Sequence, residues 1–195
     1  MTQTTETVEF GPAARALAQV VDGVRDDQLD APTPCPAYTV ADLLDHVAGL
    51  TVAFTAAARK QALGGDASGD GSRLPEGWRE RITDDLAELA AAWAEPAAYE
   101  GMTMAGPIEV PGHVAALIAL NEVLVHGWDL ARATGQPYGT DPAAVTAVAG
   151  WVAGFAVPGE VSEGPFGPAV AVPDTAPVLD RLVGLAGRDP GWQPS

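Results

Sequence analysis

Apolar residues recur at three- and four-residue steps along nearly the whole chain, and that spacing commits it to packed α-helices. Leu17, Val20, Val21 and Val24 predict a first helix over about 11–27. The prolines of PTPCP (Pro32 to Pro36) cannot continue it, because proline lacks the N–H and clashes with the preceding turn. Thr39 and Asp42 form a capping box with Asp in place of Glu, opening a second helix from Thr39 to about Leu63. GGDASGDGS (Gly64 to Ser72) has no apolar period and reads as a connecting loop. A third helix is expected from about Glu76 to Glu95, with Trp78, Ile82, Leu86, Leu89 and Trp93 on one stripe. Pro107 to Pro111 reads as extended, and a long fourth helix follows over Gly112 to Thr134, stopped by Gly135 and Pro137. Asp141-Pro142 opens a fifth helix to about Val157. GPFGPAVAVP then looks extended, and Asp174 is expected to cap a terminal helix ending at Gly187.

The pattern predicts an all-α fold: an antiparallel four-helix bundle with an additional C-terminal helix and a short extended segment. A length of 195 residues suits one domain over 1–195, within which 158–195 could pack as a C-terminal appendage. At 47% hydrophobic the chain can bury a core despite a formal net charge of −16, from 26 acids against 10 bases. That charge argues against nucleic acid and an anionic membrane as partners, since phosphate binding needs clustered cations and Lys60 is the only lysine. No uninterrupted apolar run reaches the ~18 residues of a membrane span. The start, MTQTTETVEF, has neither the basic nor the apolar region of a secretory signal. One cysteine excludes an internal disulfide and fits a reducing compartment, so the expected location is cytoplasmic.

The fourth helix carries a polar stripe through apolar surroundings. Glu122, His126 and Asp129 stand at i, i+4 and i+7, within about 60° of one another on the helix wheel. Ile118 and Val125 flank them, so the face looks inward, where an unpaired carboxylate is costly. A Glu/His pair one turn apart is common on solvated helices. It can also offer a metal two ligands, an oxygen and an imidazole nitrogen that converge beside the helix. A third candidate is His46, about 60–70° from the apolar direction of the second helix and able to reach a neighbour. Lone histidines more often bond a carbonyl at a core edge. Together, though, His46, Glu122 and His126 form a His₂Glu set with room for water or substrate, the pattern of catalytic rather than structural zinc. Asp42 either completes the cap or accepts the second ring N–H of His46, and Asp129 either supports a ligand or joins a salt bridge. His113, about 140° round the helix from His126, is expected to be exposed.

PTPCPAYTVADLLDHVAGL and NEVLVHGWDLARATGQ resemble the metal-binding N-terminal domain of actinobacterial mycothiol-dependent maleylpyruvate isomerases, and more closely the small members of that DinB-like superfamily. FGPAVAVPDTAPVLDRLVGLAGRDP is similar to the same relatives, so the resemblance spans about Leu17 to Pro190. It implies a DinB-like four-helix bundle with one divalent metal, its ligands falling on His46, Glu122 and His126, and with mycothiol as a thiol cosubstrate. Zinc is the metal of the isomerases; by donor type Ni²⁺ or Fe²⁺ would also fit. Two departures stand out. Tyr38 replaces the usual tryptophan before the helix, and the ~38 residues after Val157 are too few for the further C-terminal domain of the isomerases.

Two mechanisms follow from such a centre. A coordinated thiol would become a thiolate nucleophile for S-transfer or isomerisation, whereas coordinated water would serve hydrolysis. A bundle that binds metal or a small ligand without catalysis is the competing class. Cys35, between two prolines with no cation near it in sequence, reads as packing in a rigid turn. Arg132 is the only cation close to the stripe in sequence, and it lies 240° round the wheel from His126. Trp128 is expected to pack between helices. The expected partner is a small molecule or thiol, and exposed helical faces would suit a homodimer.

Overall fold

The computed structural model describes residues 7–61, 63, 68–156 and 167–194. Four helices make the bundle: α1 (Gly11–Gly23), α2 (Val40–Ala58), α3 (Trp78–Trp93) and α4 (Gly112–Thr134). A two-stranded hairpin, β1 (Met102–Ala105) and β2 (Ile108–Pro111), leads into α4, and α5 (Pro142–Val152) and α6 (Val178–Leu185) follow it. Both α1 and α2 pack against α3 and α4, while α5 bridges α4 and α6. The all-α bundle of the sequence reading is thus the observed architecture.

Several boundaries differ from the spacing, each for a local reason. The first helix stops at Gly23, because Val24 turns extended (φ −69°, ψ 127°) and gives its carbonyl to the Arg79 guanidinium at 2.7 Å. Asp26–Gln28 form a separate 3₁₀ turn. The second helix ends at Ala58 instead of near Leu63: Lys60 adopts φ 58° and its Nζ donates to Ala98 O at 2.6 Å. Gly77, at φ 75°, is the residue before α3. The extended stretch at Pro107–Pro111 is one arm of an antiparallel hairpin, with Ala105 opposite Ile108 around a Gly106-Pro107 turn. Thr103 Oγ1 fastens the other arm to Ala57 O at 2.6 Å. The fifth helix ends at Val152; its expected end, Val157, lies outside the described residues, as do Gly64 to Ala67 and the first part of GPFGPAVAVP. Pro177, not Asp174, precedes the first turn of α6. Gly135, at φ 70°, closes α4 as its sequence predicts.

The core runs the length of the bundle. Leu17, Leu43, Leu44, Ile82, Leu86, Leu89, Leu120 and Leu124 are essentially without exposed surface, each contributing roughly 1.5–3 kcal/mol of burial free energy. Trp93 stacks on Phe10 with ring centroids 5.5 Å apart and meets Tyr99 edge-on. By length and composition α2 and α4 could each cross a membrane, yet half of the apolar stretch of α2 and most of that of α4 are buried in this packing. Any polar side chain on α4 must therefore find its partners within the protein.

Two features aim α2. Its N-terminus carries the predicted capping box: Thr39 Oγ1 accepts from Asp42 N, and Asp42 Oδ2 accepts from Thr39 N at 3.0 Å. Asp42 Oδ1 also takes the amide of Gly71 at 2.8 Å, which pins the incoming connection to the same turn. Thr39→Ala should cost about 1 kcal/mol of stability in urea denaturation. An unchanged midpoint would show that this cap does not hold the start of α2.

Candidate metal centre

Of all the helices, α4 has the least freedom to place a charge outside, and its stripe faces inward as the spacing requires. The side chains of His126 and Asp129 retain 7% and 0% of their exposure, and Glu122 and the facing His46 of α2 only 19% and 14%. Glu122 Oε2 lies 2.9 Å from His126 Nε2 and 3.9 Å from His46 Nε2. The two imidazoles meet edge to face, with centroids 5.0 Å apart at 82°. One ligand atom from each of the three falls within 4.8 Å of the others. An ion with bonds of about 2.0–2.2 Å keeps tetrahedral ligands roughly 3.3–3.5 Å apart. The observed spacings bracket that value, so small side-chain adjustments suffice and the donor set fits a divalent cation.

The surroundings fix how these donors point. His126 Nδ1 is 3.1 Å from Asp129 Oδ2, so the carboxylate orients the ring and leaves Nε2 towards Glu122. Asp129 is itself gripped from the other side by Arg188, with Nη2 to Oδ2 at 3.0 Å and Nε to Oδ1 at 3.3 Å. Tyr38 lies against His46 with centroids 5.2 Å apart, and its hydroxyl accepts from Gly69 N at 3.2 Å. The aromatic residue ahead of α2 thus forms a wall of the site.

Burial alone would drive His126 to its neutral form, but the hydrogen bonds and charges of Asp129 and Glu122 outweigh it and push its pKa up to about 9. Burial likewise opposes the Glu122 carboxylate, and contact with His126 and the charge of His46 hold it below its ordinary range. The Cys35 thiol is pushed up by burial, partly opposed by Arg188.

The residues singled out from sequence therefore divide clearly. His46, Glu122 and His126 come together. Asp129 contacts the His126 ring and also forms a salt bridge with Arg188, whereas Asp42 serves the cap and Gly71. His113 is exposed at the start of α4, as expected, and Trp128 is buried. Arg132 stays off the stripe: it donates to the carbonyls of Pro190 and Trp192 at 2.7 and 3.0 Å. Sequence reasoning missed Arg188, and with it the cation near Cys35. The one available signal was the need of a buried Asp129 for a cation, which does not say which arginine supplies it.

These elements define a class: a helical bundle whose second and fourth helices hold an internal His₂-carboxylate cluster. The mycothiol maleylpyruvate isomerase N-terminal domain family matches residues 10–131, and the chain belongs to that family. Two uncharacterized proteins of Mycobacterium tuberculosis, MT0763 and Rv0738, are each 34% identical to it over 184 residues, covering 90% of this chain and 93% of theirs. Among solved structures, the crystal structure of the mycothiol-dependent maleylpyruvate isomerase superposes with a TM-score of 0.55 at 16% identity. The match covers 72% of this chain and 65% of that one, so it spans less than two thirds of that enzyme. A histidine-to-alanine mutant of the enzyme gives the same TM-score and identity over 75% of this chain and 70% of that one. At this identity the likeness establishes the shared fold.

The His126 shift has a consequence for protein stripped of divalent metal. A folded pKa of about 9, above the ordinary 6.5, gives stability that is fully present below pH 6.5 and lost as pH rises through 9. Thermal melts of chelator-treated protein should thus show a falling midpoint from pH 7 to 9.5. A midpoint that is flat or rises over that range would contradict the buried Glu122–His126–Asp129 arrangement.

Proposed function

We propose that the protein is a divalent-metal protein that activates a small thiol, with His46, Glu122 and His126 as the metal ligands and mycothiol as cosubstrate. The observation that carries this reading is the convergence of two imidazoles and one carboxylate in a nearly buried site within a chain of this family. Imidazole with carboxylate suits Zn²⁺, and the same donors accept Ni²⁺ or Fe²⁺. When bound, the ion supplies a Lewis acid that lowers the pKa of a coordinated thiol and leaves a thiolate at neutral pH.

The chain's own residues prepare that chemistry. Asp129 keeps a proton on His126 Nδ1, so that it is the Nε2 proton, shared with Glu122, that a metal would displace to take the Nε2 lone pair. Glu122 contributes one negative charge, which offsets part of the charge of a dication and leaves the centre able to take an anionic sulfur. Tyr38 packs on His46 and limits water on that side. Three protein ligands leave a position for the thiol, and the acceptor would be a small electrophile undergoing S-transfer or isomerisation. A reduced thiol cosubstrate needs a reducing compartment, which accords with a cytoplasmic protein with a single cysteine.

Protein purified without a histidine tag should carry, or rebind, about one equivalent of metal, and Glu122→Gln should weaken binding at least tenfold while the helical circular dichroism is retained. Mycothiol added to the cobalt-substituted protein should alter its visible spectrum, and thiol should be consumed when an electrophile is supplied. Metal below about 0.2 equivalents without rebinding would overturn the ligand assignment. One equivalent of metal with no thiol-dependent change would overturn the thiol chemistry alone.

A further inference from the structure

Arg188 stands 59 residues after Asp129 in sequence, beyond the end of α6, yet it reaches the innermost carboxylate of the α4 stripe. Its place is determined from several directions. Its amide donates to Val183 O at 2.9 Å, and its Nη1 donates to Ala186 O at 2.8 Å. Gly187 turns the chain at φ 80°, where a Cβ would also meet the backbone of Gly167 at 3.1 Å. One helical turn along α4 from Asp129, Arg132 holds the carbonyls of Pro190 and Trp192. The segment after α6 is therefore latched to α4 at two points, and Leu182 and Val183 of α6 are fully buried.

We propose that Arg188 is a positioning residue of the metal centre: by gripping both oxygens of Asp129 it fixes the carboxylate that orients His126, so that docking of 178–192 and metal binding reinforce each other. The inference rests on the metal reading above. A planar guanidinium bonded through two nitrogens defines the carboxylate plane, which an ammonium cannot do. The orientation then passes through Asp129 Oδ2 to the ring of His126. Coupling of this kind is reciprocal, so a metal held by a well-oriented His126 must also hold the segment that orients it.

The test compares zinc affinity, by competition with a chromophoric chelator, for the wild-type chain, Arg188→Ala, Arg188→Lys, Asp129→Asn and the double variant Arg188→Ala/Asp129→Asn. Loss of the grip should weaken zinc about tenfold, within the range for residues that orient a metal ligand. Arg188→Lys should recover part of that loss, and the double variant should be no weaker than the worse single one. The visible bands of cobalt-substituted Arg188→Lys should shift, which a purely structural arginine would not cause. Hydrogen exchange should show zinc slowing the amides of Ala186, Arg188 and Trp192 in the wild-type chain. Wild-type affinity within twofold in a folded Arg188→Ala, or losses that simply add in the double variant, would overturn the proposal while leaving the metal centre in place. If Arg188→Ala does not fold, an unshifted cobalt spectrum in Arg188→Lys together with zinc-independent exchange overturns it equally. A wild-type chain that binds no zinc would remove both readings.

Discussion

Asp129 is a carboxylate with no exposed surface, held inside a helical bundle by two groups, the Nδ1 of His126 and the guanidinium of Arg188. Removing such a charge from water costs several kcal/mol, and the cost is offset only where charged partners meet it with good geometry. Most of what distinguishes this protein from an ordinary bundle follows from meeting that condition. His126 must sit one turn before Asp129 with its ring turned towards it, and its other nitrogen then faces Glu122, with the His46 ring beside it. The chain after α6 must return to α4 to deliver Arg188. A chain with 26 acids and 10 bases thus spends one of its nine arginines at a single buried carboxylate.

The bundle provides the second half of the arrangement. His46 and Glu122 belong to helices separated by the third helix and the hairpin, and they meet because α2 packs directly on α4. The position of α2 is set by its capping box and by the core leucines Leu43 and Leu44, while Thr103 of the hairpin ties down its far end. The meeting of His46 with Glu122 thus follows from ordinary helix packing and capping. The orientation of His126 requires in addition the buried contacts of Asp129 and Arg188.

Much of this was readable before any coordinates. The stripe at Glu122, His126 and Asp129 was legible because three polar residues at i, i+4 and i+7 in an apolar helix can share only one face. His46 was legible because its angle from the apolar direction of α2 put it on the rim. The range of α4 was legible from the proline before it and Gly135 after it. Less readable were the ends of α1 and α2, where the apolar pattern runs on but Arg79 and Lys60 make contacts from outside the helix that decide the stop. The first hairpin strand, Met102–Ala105, is too short to show an alternation, and its pairing depends on a partner across the turn. Arg188 was out of reach for the same reason: nothing local in GLAGRDP signals a contact with a carboxylate 59 residues earlier. Local rules predict elements, whereas charge compensation across the fold is a property of the assembled chain.

The central claim, a metal held by His46, Glu122 and His126, is open to one direct measurement: X-ray absorption at the zinc edge of the untagged, zinc-loaded protein. The account predicts a first shell of nitrogen and oxygen at about 2.0–2.2 Å with the multiple scattering of two imidazoles. That signal should fall to one imidazole in His46→Ala. A shell with no imidazole scattering, or one unchanged by that substitution, would contradict it.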